Sequence, residues 1–317
     1  MTALLEVEAL RVGFGATEAV RGAAFHVAAG EVHGLVGESG CGKSATALAV
    51  MGLLPRAARR TAGVLRFEGH DLTRLSSRAL NRLRGDRMGM VFQEPMTSLN
   101  PAYTIASQMT EVWRRHRGGT RAAARERAAE MLARVGIASP GLRLGQFPHQ
   151  LSGGLRQRVM IATSLLCGPA LLIADEPTTA LDVTIQVGIL RLLLDLQAET
   201  GLAVLLITHD LGVVARMAHR VSVMYAGQVV ESAPASLLFR APAHPYTRAL
   251  LDCVPVPGRG DPEAPLGTIP GTVPRLPAGF AGCAFRDRCP RAVAECAGPI
   301  SVYRPAPDHA ALCIRPL

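Results

Sequence analysis

The sequence predicts an α/β fold with four parts: an N-terminal antiparallel β subdomain, a core of parallel strands and helices, a helical insertion within that core, and a small proline- and cysteine-rich C-terminal appendage. Three observations predict it. A glycine-rich loop stands between a strand-like and a helix-like segment, two short apolar runs flank a helical pattern further along, and the composition changes near residue 241.

Length and composition narrow the class of protein. The 317 residues fit about two domains, and 49% hydrophobic residues can bury a sizeable core. Apolar runs of about 18 residues without charge, Pro or Gly do not occur, so a membrane-spanning helix is not expected. The first residues, Met1 to Glu8, are acidic where a secretory signal would be basic, which predicts a cytoplasmic protein.

The net charge of +9 raises the question of a nucleic-acid or anionic-membrane partner. The arginines are scattered, and their densest run, residues 114 to 134, has the spacing of a solvated helix face. Aromatic residues make up only 4% and offer few platforms on which bases could stack. Nucleic acid is therefore not expected as a partner.

The predicted elements follow in order along the chain. Up to about residue 30, apolar and polar residues alternate as in short, half-buried antiparallel strands. Strand-like pieces recur at 31–36, 63–67 and 88–92, and residues from about 100 to 165 are helical in pattern and rich in Ala and Arg. The apolar runs 170–174 and 203–207 predict buried parallel strands, with a helix from Thr184 to Glu199 between them.

The loop between the strand at 31–36 and the helix after it has the spacing G-x-x-x-x-G-K-S, from Gly37 to Ser44. Lys43 is the only lysine among 34 basic residues, so this position has a specific need for an ammonium group. In a phosphate-binding loop, backbone N–H groups wrap the β-phosphate and the lysine reaches the β- and γ-phosphates as a point charge. The alternative, a glycine-rich turn with a surface lysine, does not account for the strand before it and the helix after it.

Two acidic residues end the apolar run at 171–174, namely Asp175 and Glu176. Ligands bind outside the carboxyl ends of parallel strands, which is where these side chains are expected. Asp175 would hold Mg²⁺ through water and Ser44 would bind it directly. Glu176 would polarise the attacking water as general base. Cys41 lies within the phosphate loop, so the site is expected to be sensitive to thiol reagents.

A further motif, Leu151-Ser152-Gly153-Gly154-Leu155, lies between the loop and the carboxylates. With it, the chain resembles the ATP-binding subunits of ABC transporters, whose LSGGQ signature opens a helix that caps the nucleotide of the opposite subunit. Leu155 replaces the usual glutamine. The replacement affects the contact that the side chain makes at that position, whereas the backbone contacts are retained. The resemblance implies a P-loop NTPase (ABC ATPase) core. It also implies that Ser152, Gly153, Gly154 and Asp182, of the D-loop at 180–182, contact the partner's ATP.

The same resemblance assigns three further residues. Gln93 matches the Q-loop, which senses the γ-phosphate and Mg²⁺, and His209 matches the H-loop, which holds Glu176 and the water in line. Phe14 stands where the family stacks an aromatic ring on adenine, and a core position is the alternative for it. The expected catalytic residues are Glu176, His209 and Gln93. The expected Mg²⁺ ligands are Ser44, Gln93 and Asp175. The residues expected to bind ATP are Phe14, Gly37, Glu38, Ser39, Gly40, Cys41, Gly42, Lys43, Ser44, Gln93, Asp175 and His209.

Segments 92–101 and 244–251 are similar to those of the dipeptide/oligopeptide importer branch, which includes nickel importers. This implies an ABC domain at 1–240, with a helical subdomain at about 96–165, and a branch-specific extension at 241–317. The implied partners are a second ATPase in a heterodimer, two permeases and an extracytoplasmic binding protein, with the chain at the cytoplasmic face of the membrane. The permease's coupling helix is expected on the helical subdomain at Tyr103, Val112 and Trp113.

Other functions remain open at this stage. The transported solute is expected to be a di- or oligopeptide, with nickel or another small solute as the alternative. From another class, a soluble ABC ATPase acting on nucleic acid or ribosomes would use the positive charge. A regulatory subunit without turnover is a third reading, which the presence of Lys43, Asp175, Glu176 and His209 disfavours.

The C-terminal part holds 14 of the 22 prolines, too many for long helices or central strands. Five cysteines lie in it, and four of them form a group, Cys283, Cys289, Cys296 and Cys313. In a reducing cytoplasm these four are not expected to form disulfides. Four thiolates can hold a 4Fe-4S cluster or a zinc ion, and unligated thiols are the third alternative. The spacing lacks paired C-x₂-C knuckles, and in the importer branch similar cysteines are associated with an iron–sulfur cluster, which is the expectation here.

Overall fold

The computed structural model describes residues 3–93, 98–178, 182–254 and 267–317. These residues divide into two compact units. The first contains 3–73 and 206–317, and the second contains 74–205. The predicted D-loop residues 180 and 181 and part of the segment at 92–101 lie outside the described residues.

An antiparallel sheet opens the first unit, as the alternation predicted. Its strands are β1 (Ala3–Phe14), β2 (Thr17–Ala28), β4 (Ala58–Thr61), β5 (Val64–Phe67) and β6 (His70–Asp71), in the order β2-β1-β5-β6, with β4 also pairing with β1. Strands β1 and β2 have 12 residues each and are longer than expected. A register shift between Val7 and Leu10 explains this, because it lets both residues face the core although they are three positions apart.

The second sheet of this unit contains the first predicted parallel strand, β3 (Val32–Val36), which is followed by α1 (Lys43–Met51). Strand β10 (Arg220–Tyr225) pairs with β3 in parallel, and β11 (Gln228–Pro234) pairs with β10 in antiparallel fashion. On the outer side lie β13 (His309–Leu312) and β12 (Val302–Ala306), giving the order β12-β13-β11-β10-β3-β9. Strand β9 (Ala203–Thr208) crosses the division, and residues 206–208 belong to this unit.

Among the described residues of the first unit, three short α-helices follow β9. They are α8 (Leu211–Met217), α9 (Ala235–Arg240) and α10 (Pro245–Asp252). The side chain of Asp210 caps α8 by accepting hydrogen bonds from the N–H groups of Gly212 and Val213, at 2.8 and 3.1 Å. No helix among the described residues is long and apolar enough to cross a membrane.

The described residues of the C-terminal segment form only short elements, as its prolines predicted. Besides α10, β12 and β13 it has two single-turn 3₁₀ helices, at Arg286–Arg288 and Ala294–Ala297. It does not stand apart as a separate body, however. Tyr246 and Phe285 are fully buried and pack with Tyr225 of β10, with ring centroids 4.6 to 5.2 Å apart. The segment therefore shares the hydrophobic core of the first unit.

The second unit contains the predicted helical insertion and two parallel strands. Strands β7 (Met88–Val91) and β8 (Leu171–Asp175) pair in parallel, in the order β9-β8-β7. The helices are α2 (Ser77–Leu83), α3 (Ile105–Arg117), α4 (Arg121–Arg134), α5 (Pro140–Leu144), α6 (Gly153–Leu165) and α7 (Val183–Thr200), with a 3₁₀ turn at Pro148–Gln150. The predicted buried strands and the helix after β8 are confirmed.

The arginine-rich run at 114–134 belongs to two helices and not to one helix. Gly118 and Gly119 have φ angles of 71° and 84°, where the backbone cannot continue a right-handed helix. Thr120 then caps α4 by accepting a hydrogen bond from the N–H of Ala123 at 3.2 Å. Most arginines of the run are exposed, as expected for a solvated face.

A buried carboxylate fastens the end of the chain to the first unit. Glu231 of β11 is 1% exposed. It accepts hydrogen bonds from the N–H groups of Ala243 and His244 at 2.7 and 2.9 Å, and from Nε2 of His309 at 2.6 Å. One side chain thus joins β11, the start of α10 and β13.

We predict that Glu231→Ala lowers the free energy of unfolding by about 3 kcal/mol, because it leaves buried donors without their acceptor. The matched control is Asp308→Ala, since the Asp308 side chain is 75% exposed and faces Arg220 across 3.6 Å. The control should change stability by less than about 0.5 kcal/mol in urea unfolding. Equal effects of the two substitutions would contradict this role of Glu231.

Candidate functional site

The phosphate loop lies where the sequence predicted, between β3 and α1. Lys43 is the first residue of α1, is 5% exposed, and turns its ammonium group back under the loop. Its Nζ donates hydrogen bonds to the carbonyl oxygens of Gly37 and Glu38, at 2.8 and 3.0 Å. The only lysine of the chain is therefore fixed inside the loop by the loop's own backbone.

Two glycines of the loop are required by its neighbours in the first unit. Gly37 has a φ of 152°, and a Cβ there would lie 2.2 Å from the carbonyl oxygen of Met224. Gly42 has a φ of 107°, and a Cβ there would lie 2.4 Å from the carbonyl oxygen of Ala19. Strands β2 and β10 thus press on the loop from outside, and only glycine fits at both positions.

Gly42 is also the N-cap of α1 and provides no side-chain cap for this helix. The first turn of a helix presents N–H groups and a partial positive charge, which together attract a phosphate. With Lys43 at the same helix end, the loop has the chemistry that a polyphosphate needs. Ser44, the second residue of α1, provides a hydroxyl oxygen of the kind that Mg²⁺ prefers.

Cys41 does not have the environment of a reactive thiol. It is fully buried, and burial raises the pKa of its thiol, against the opposing effect of the nearby Lys43 ammonium. Because the thiolate is the reactive form, the expected sensitivity of this position to thiol reagents is not supported.

Sequence reasoning missed the groups that hold Glu38 of the loop. Arg288 forms a two-pronged ion pair with the Glu38 carboxylate, with N–O distances of 2.8 and 2.9 Å. The Tyr246 hydroxyl accepts a hydrogen bond from the Glu38 N–H at 3.0 Å. Tyr246 lies in the segment at 244–251, which the sequence analysis named for its similarity to the importer branch. Nothing in the sequence distinguished Arg288 from the other arginines.

In the second unit, Asp175 ends β8 and Glu176 follows it, as predicted. They are 4% and 9% exposed. Glu176 has a φ of 46°, which is strained for a residue with a side chain and is often found at functional positions. The side-chain amide of Gln93 donates a hydrogen bond to the Glu176 carboxylate at 2.9 Å. The structure therefore brings together two of the three residues expected to be catalytic.

Gln157, which sequence reasoning missed, supports the same turn. It lies on α6, is 2% exposed, and its amide donates a hydrogen bond to the carbonyl oxygen of Pro177 at 2.5 Å. The helix that begins at the signature motif is thus tied to the residue after Glu176. A glutamine on an otherwise apolar face of this helix was the signal in the sequence that could have identified Gln157.

The signature residues open α6. Ser152 is its N-cap, with the Leu155 N–H donating to the Ser152 hydroxyl at 3.4 Å, and both Ser152 and Gly153 are exposed. Gly154 is buried, and a Cβ there would lie 2.9 Å from the Ile185 side chain. Asp182 is exposed and caps α7, since its carboxylate accepts a hydrogen bond from the Ile185 N–H at 2.9 Å. Gly154 and Asp182 therefore share one neighbour, Ile185.

His209 and Phe14 belong to the first unit. His209 follows β9 and is exposed, and Phe14 ends β1 with 38% of its surface exposed. The exposure of Phe14 argues against the alternative of a core position. In the second unit, Tyr103 is 55% exposed, whereas Val112 and Trp113 are partly buried and Trp113 lies under the guanidinium of Arg127.

The four grouped cysteines, Cys283, Cys289, Cys296 and Cys313, line one small cavity together with His244 and Phe285. Burial and the proximity of the other thiols raise the pKa values of Cys283, Cys289 and Cys313. Within the described ranges, however, no group of three or more His, Cys, Asp or Glu side chains is arranged to hold a metal ion. Although the four thiols line one cavity, the described part of the chain forms no metal-binding group there, which supports neither the zinc nor the iron–sulfur alternative.

Two family models match the chain. One, described as "ABC transporter", matches residues 20–179, and the other, described as "Oligopeptide/dipeptide transporter, C-terminal region", matches residues 230–296. The first covers the phosphate loop, the signature motif and the two carboxylates. The second covers three of the four clustered cysteines and Glu231.

Individual proteins are similar over most of the length. A probable peptide ABC transporter ATP-binding protein, y4tR of Sinorhizobium fredii, is 51% identical, covering 98% of this chain and 95% of that protein. The dipeptide transport ATP-binding protein DppD of Escherichia coli is 50% identical, covering 93% and 90%. A bacterial ABC transporter cassette solved as a dimer is 28% identical, with a TM-score of 0.65, covering 73% of this chain and 98% of that one.

We predict that Gly42→Ala destabilises the protein far more than Gly40→Ala. Both residues have positive φ angles, 107° and 80°, but a Cβ at Gly40 meets nothing within 4 Å, whereas one at Gly42 meets the carbonyl of Ala19. Backbone strain alone should cost about 1 kcal/mol at Gly40, and strain plus the clash about 3 kcal/mol at Gly42. Urea unfolding measures both, and similar losses at the two positions would show that β2 does not constrain the loop.

Proposed function

Because the chain belongs to the ABC transporter family of ATP-binding proteins, we propose that it is an ATPase that powers the import of di- or oligopeptides. The observation that carries the ATPase part is the phosphate loop, with its buried ammonium at the start of α1. The match of residues 230–296 to the oligopeptide/dipeptide C-terminal model favours peptides over nickel or another small solute. It also disfavours an ATPase that acts on nucleic acid or ribosomes.

The proposed reaction is the attack of water on the γ-phosphorus of ATP, which breaks the bond to the β-phosphate oxygen and gives ADP and phosphate. Residues 37–44 hold the triphosphate through backbone N–H groups and Lys43. Phe14 stacks on the adenine. Glu176 accepts the proton of the attacking water, and His209 contacts the γ-phosphate.

Gln93 and Glu176 act as a pair in this proposal. The amide of Gln93 donates to one carboxylate oxygen of Glu176 at 2.9 Å, which fixes the orientation of the carboxylate. The buried position of Glu176 strengthens this electrostatic contact.

Magnesium fits the proposed donor set, because Ser44, Gln93 and Asp175 supply a hydroxyl, an amide and a carboxylate oxygen, and Mg²⁺ binds oxygen. When bound, the ion neutralises charge that develops on the transferred phosphoryl group. No other role is assigned to it.

The subunit is proposed to work in a head-to-tail pair. Ser152, Gly153, Gly154 and Asp182 would contact the nucleotide held by the partner. Two observations support this: Ser152 and Gly153 are exposed at the start of α6, and a similar bacterial cassette is a dimer. We propose a heterodimer with a second, related ATPase, beneath two permeases at the cytoplasmic face of the membrane and supplied by an extracytoplasmic binding protein. Tyr103, Val112 and Trp113 would receive the permease's coupling helix.

The domain division proposed for this function is an ABC domain at 1–240, with a helical subdomain at about 96–165, and an importer-type extension at 241–317. The chain matches one family model at 20–179 and a different one at 230–296, which supports a division into two domains.

The extension is proposed to hold a 4Fe-4S cluster on Cys283, Cys289, Cys296 and Cys313. Supporting this, the four thiols line one small cavity. The cluster would stabilise a small, proline-rich segment that cannot form long helices or central strands.

We predict that Glu176→Gln leaves MgATP affinity within about threefold of wild type and lowers ATP hydrolysis and dipeptide uptake at least about 100-fold, since the amide cannot accept the proton. ATP hydrolysis and the uptake of labelled dipeptide are both measured with the full transporter. The control is Glu199→Gln, a carboxylate that is 64% exposed and paired with Arg134. Hydrolysis by Glu176→Gln at the control's rate would overturn the assignment of the base, and hydrolysis without peptide uptake in wild type would overturn the substrate.

A second prediction concerns the cysteines. After anaerobic reconstitution with iron and sulfide, the wild-type chain should bind roughly four iron atoms with visible absorption. Cys289→Ser should lose this iron, whereas Cys253→Ser, outside the cavity, should keep it. The amounts of bound iron and acid-labile sulfide are measured in each variant. Bound zinc in place of iron, or equal iron in both variants, would contradict the cluster.

A further inference from the structure

The phosphate loop is held from outside by the C-terminal segment, through Arg288. The guanidinium of Arg288 faces the carboxylate of Glu38, the second residue of the loop, with NH1 to Oε2 at 2.8 Å and NH2 to Oε1 at 2.9 Å. This parallel, two-bond geometry is the strongest arrangement available to an arginine and a carboxylate. The two residues are 250 positions apart in the chain.

Arg288 is itself fixed in place. Its Nε donates to the carbonyl of Pro270 at 2.7 Å, NH2 also donates to the carbonyl of Ile269 at 3.0 Å, and NH1 lies 3.3 Å from the Tyr225 hydroxyl. The side chain is only 6% exposed. A guanidinium with this many partners cannot swing away from Glu38 without leaving several of them unpaired.

Glu38 is fixed at its backbone as well. Its N–H donates to the Tyr246 hydroxyl at 3.0 Å, and Tyr246 is fully buried against Tyr225 and Phe285. Tyr246 therefore holds the main chain of Glu38, and Arg288 holds its side chain. The loop's adjacent glycines contribute no stiffness of their own.

We propose that Arg288 is a positioning residue for the phosphate loop: by holding Glu38, it keeps the backbone N–H groups of the loop oriented for the phosphates of ATP. Binding groups that are oriented in advance raise affinity, because less order must be imposed when the ligand arrives. Arg288 also directly precedes Cys289, so the cysteine-lined cavity and the phosphate loop are joined through a single side chain. The inference rests on the proposed role of the loop in binding ATP.

The test is the dissociation constant of the full-length chain for MgATP, measured by calorimetry. Arg288→Ala should weaken binding about tenfold, and Arg288→Lys, which keeps the charge and loses the fork, should weaken it by an intermediate factor. Arg286→Ala is the matched control and should bind like wild type. Arg286 lies on the same 3₁₀ turn and contacts Asp287, the Phe280 ring and the cysteine-lined cavity, whereas the ion pair with Glu38 is made by Arg288.

A double-mutant cycle with Glu38→Gln separates positioning from a merely structural role. If Arg288 acts through Glu38, the double variant should bind MgATP no more weakly than either single variant. Additive losses, or an Arg288→Ala affinity within twofold of wild type, would overturn the proposal. If Arg288→Ala does not fold, Glu38→Gln alone decides, since it leaves the C-terminal segment intact and should still weaken binding several-fold. Failure of the wild-type chain itself to bind MgATP would refute the proposed function instead.

Discussion

The burial of one ammonium group inside a backbone loop is the interaction on which the first unit depends. Lys43 is held at 2.8 and 3.0 Å by two carbonyl oxygens of the loop, and the loop keeps that shape because β2 and β10 leave no room for side chains at Gly37 and Gly42. The ammonium therefore has a fixed position next to the start of α1, where both the charge and the helix end attract phosphate. The antiparallel sheet, the parallel strand β3 and the late strand β10 all serve to place this loop.

The C-terminal segment gives the loop a second support. A proline-rich stretch cannot form long elements, and it acquires order here by packing Tyr246 and Phe285 into the core of the first unit and by the buried contacts of Glu231. Once ordered, it presents Arg288 to Glu38. The four grouped cysteines lie in the same stretch, so the proposed cluster would stabilise the segment that supports the nucleotide site.

Local pattern allowed much of this to be predicted from the sequence. The phosphate loop, the strand before it and the helix after it were predicted because glycine spacing and hydrophobic period are properties of neighbouring residues. The same holds for Asp175 and Glu176 at the end of β8.

Contacts between distant positions were not predictable in this way. Arg288 is one arginine among many, and only the fold brings it to Glu38. The bulge between Val7 and Leu10 and the break at Gly118 changed the lengths of elements whose type was correct. The reactivity expected of Cys41 depended on an exposure that the fold does not provide.

The affinity of the full-length chain for MgATP, compared between wild type and Lys43→Ala at one ionic strength, tests the central claim most directly. A charge-assisted contact is worth about 1.5 to 3 kcal/mol, so the loss of the ammonium should weaken binding by at least about tenfold. An unchanged dissociation constant in Lys43→Ala would contradict the account, because the group that organises the loop would then have no part in holding the nucleotide.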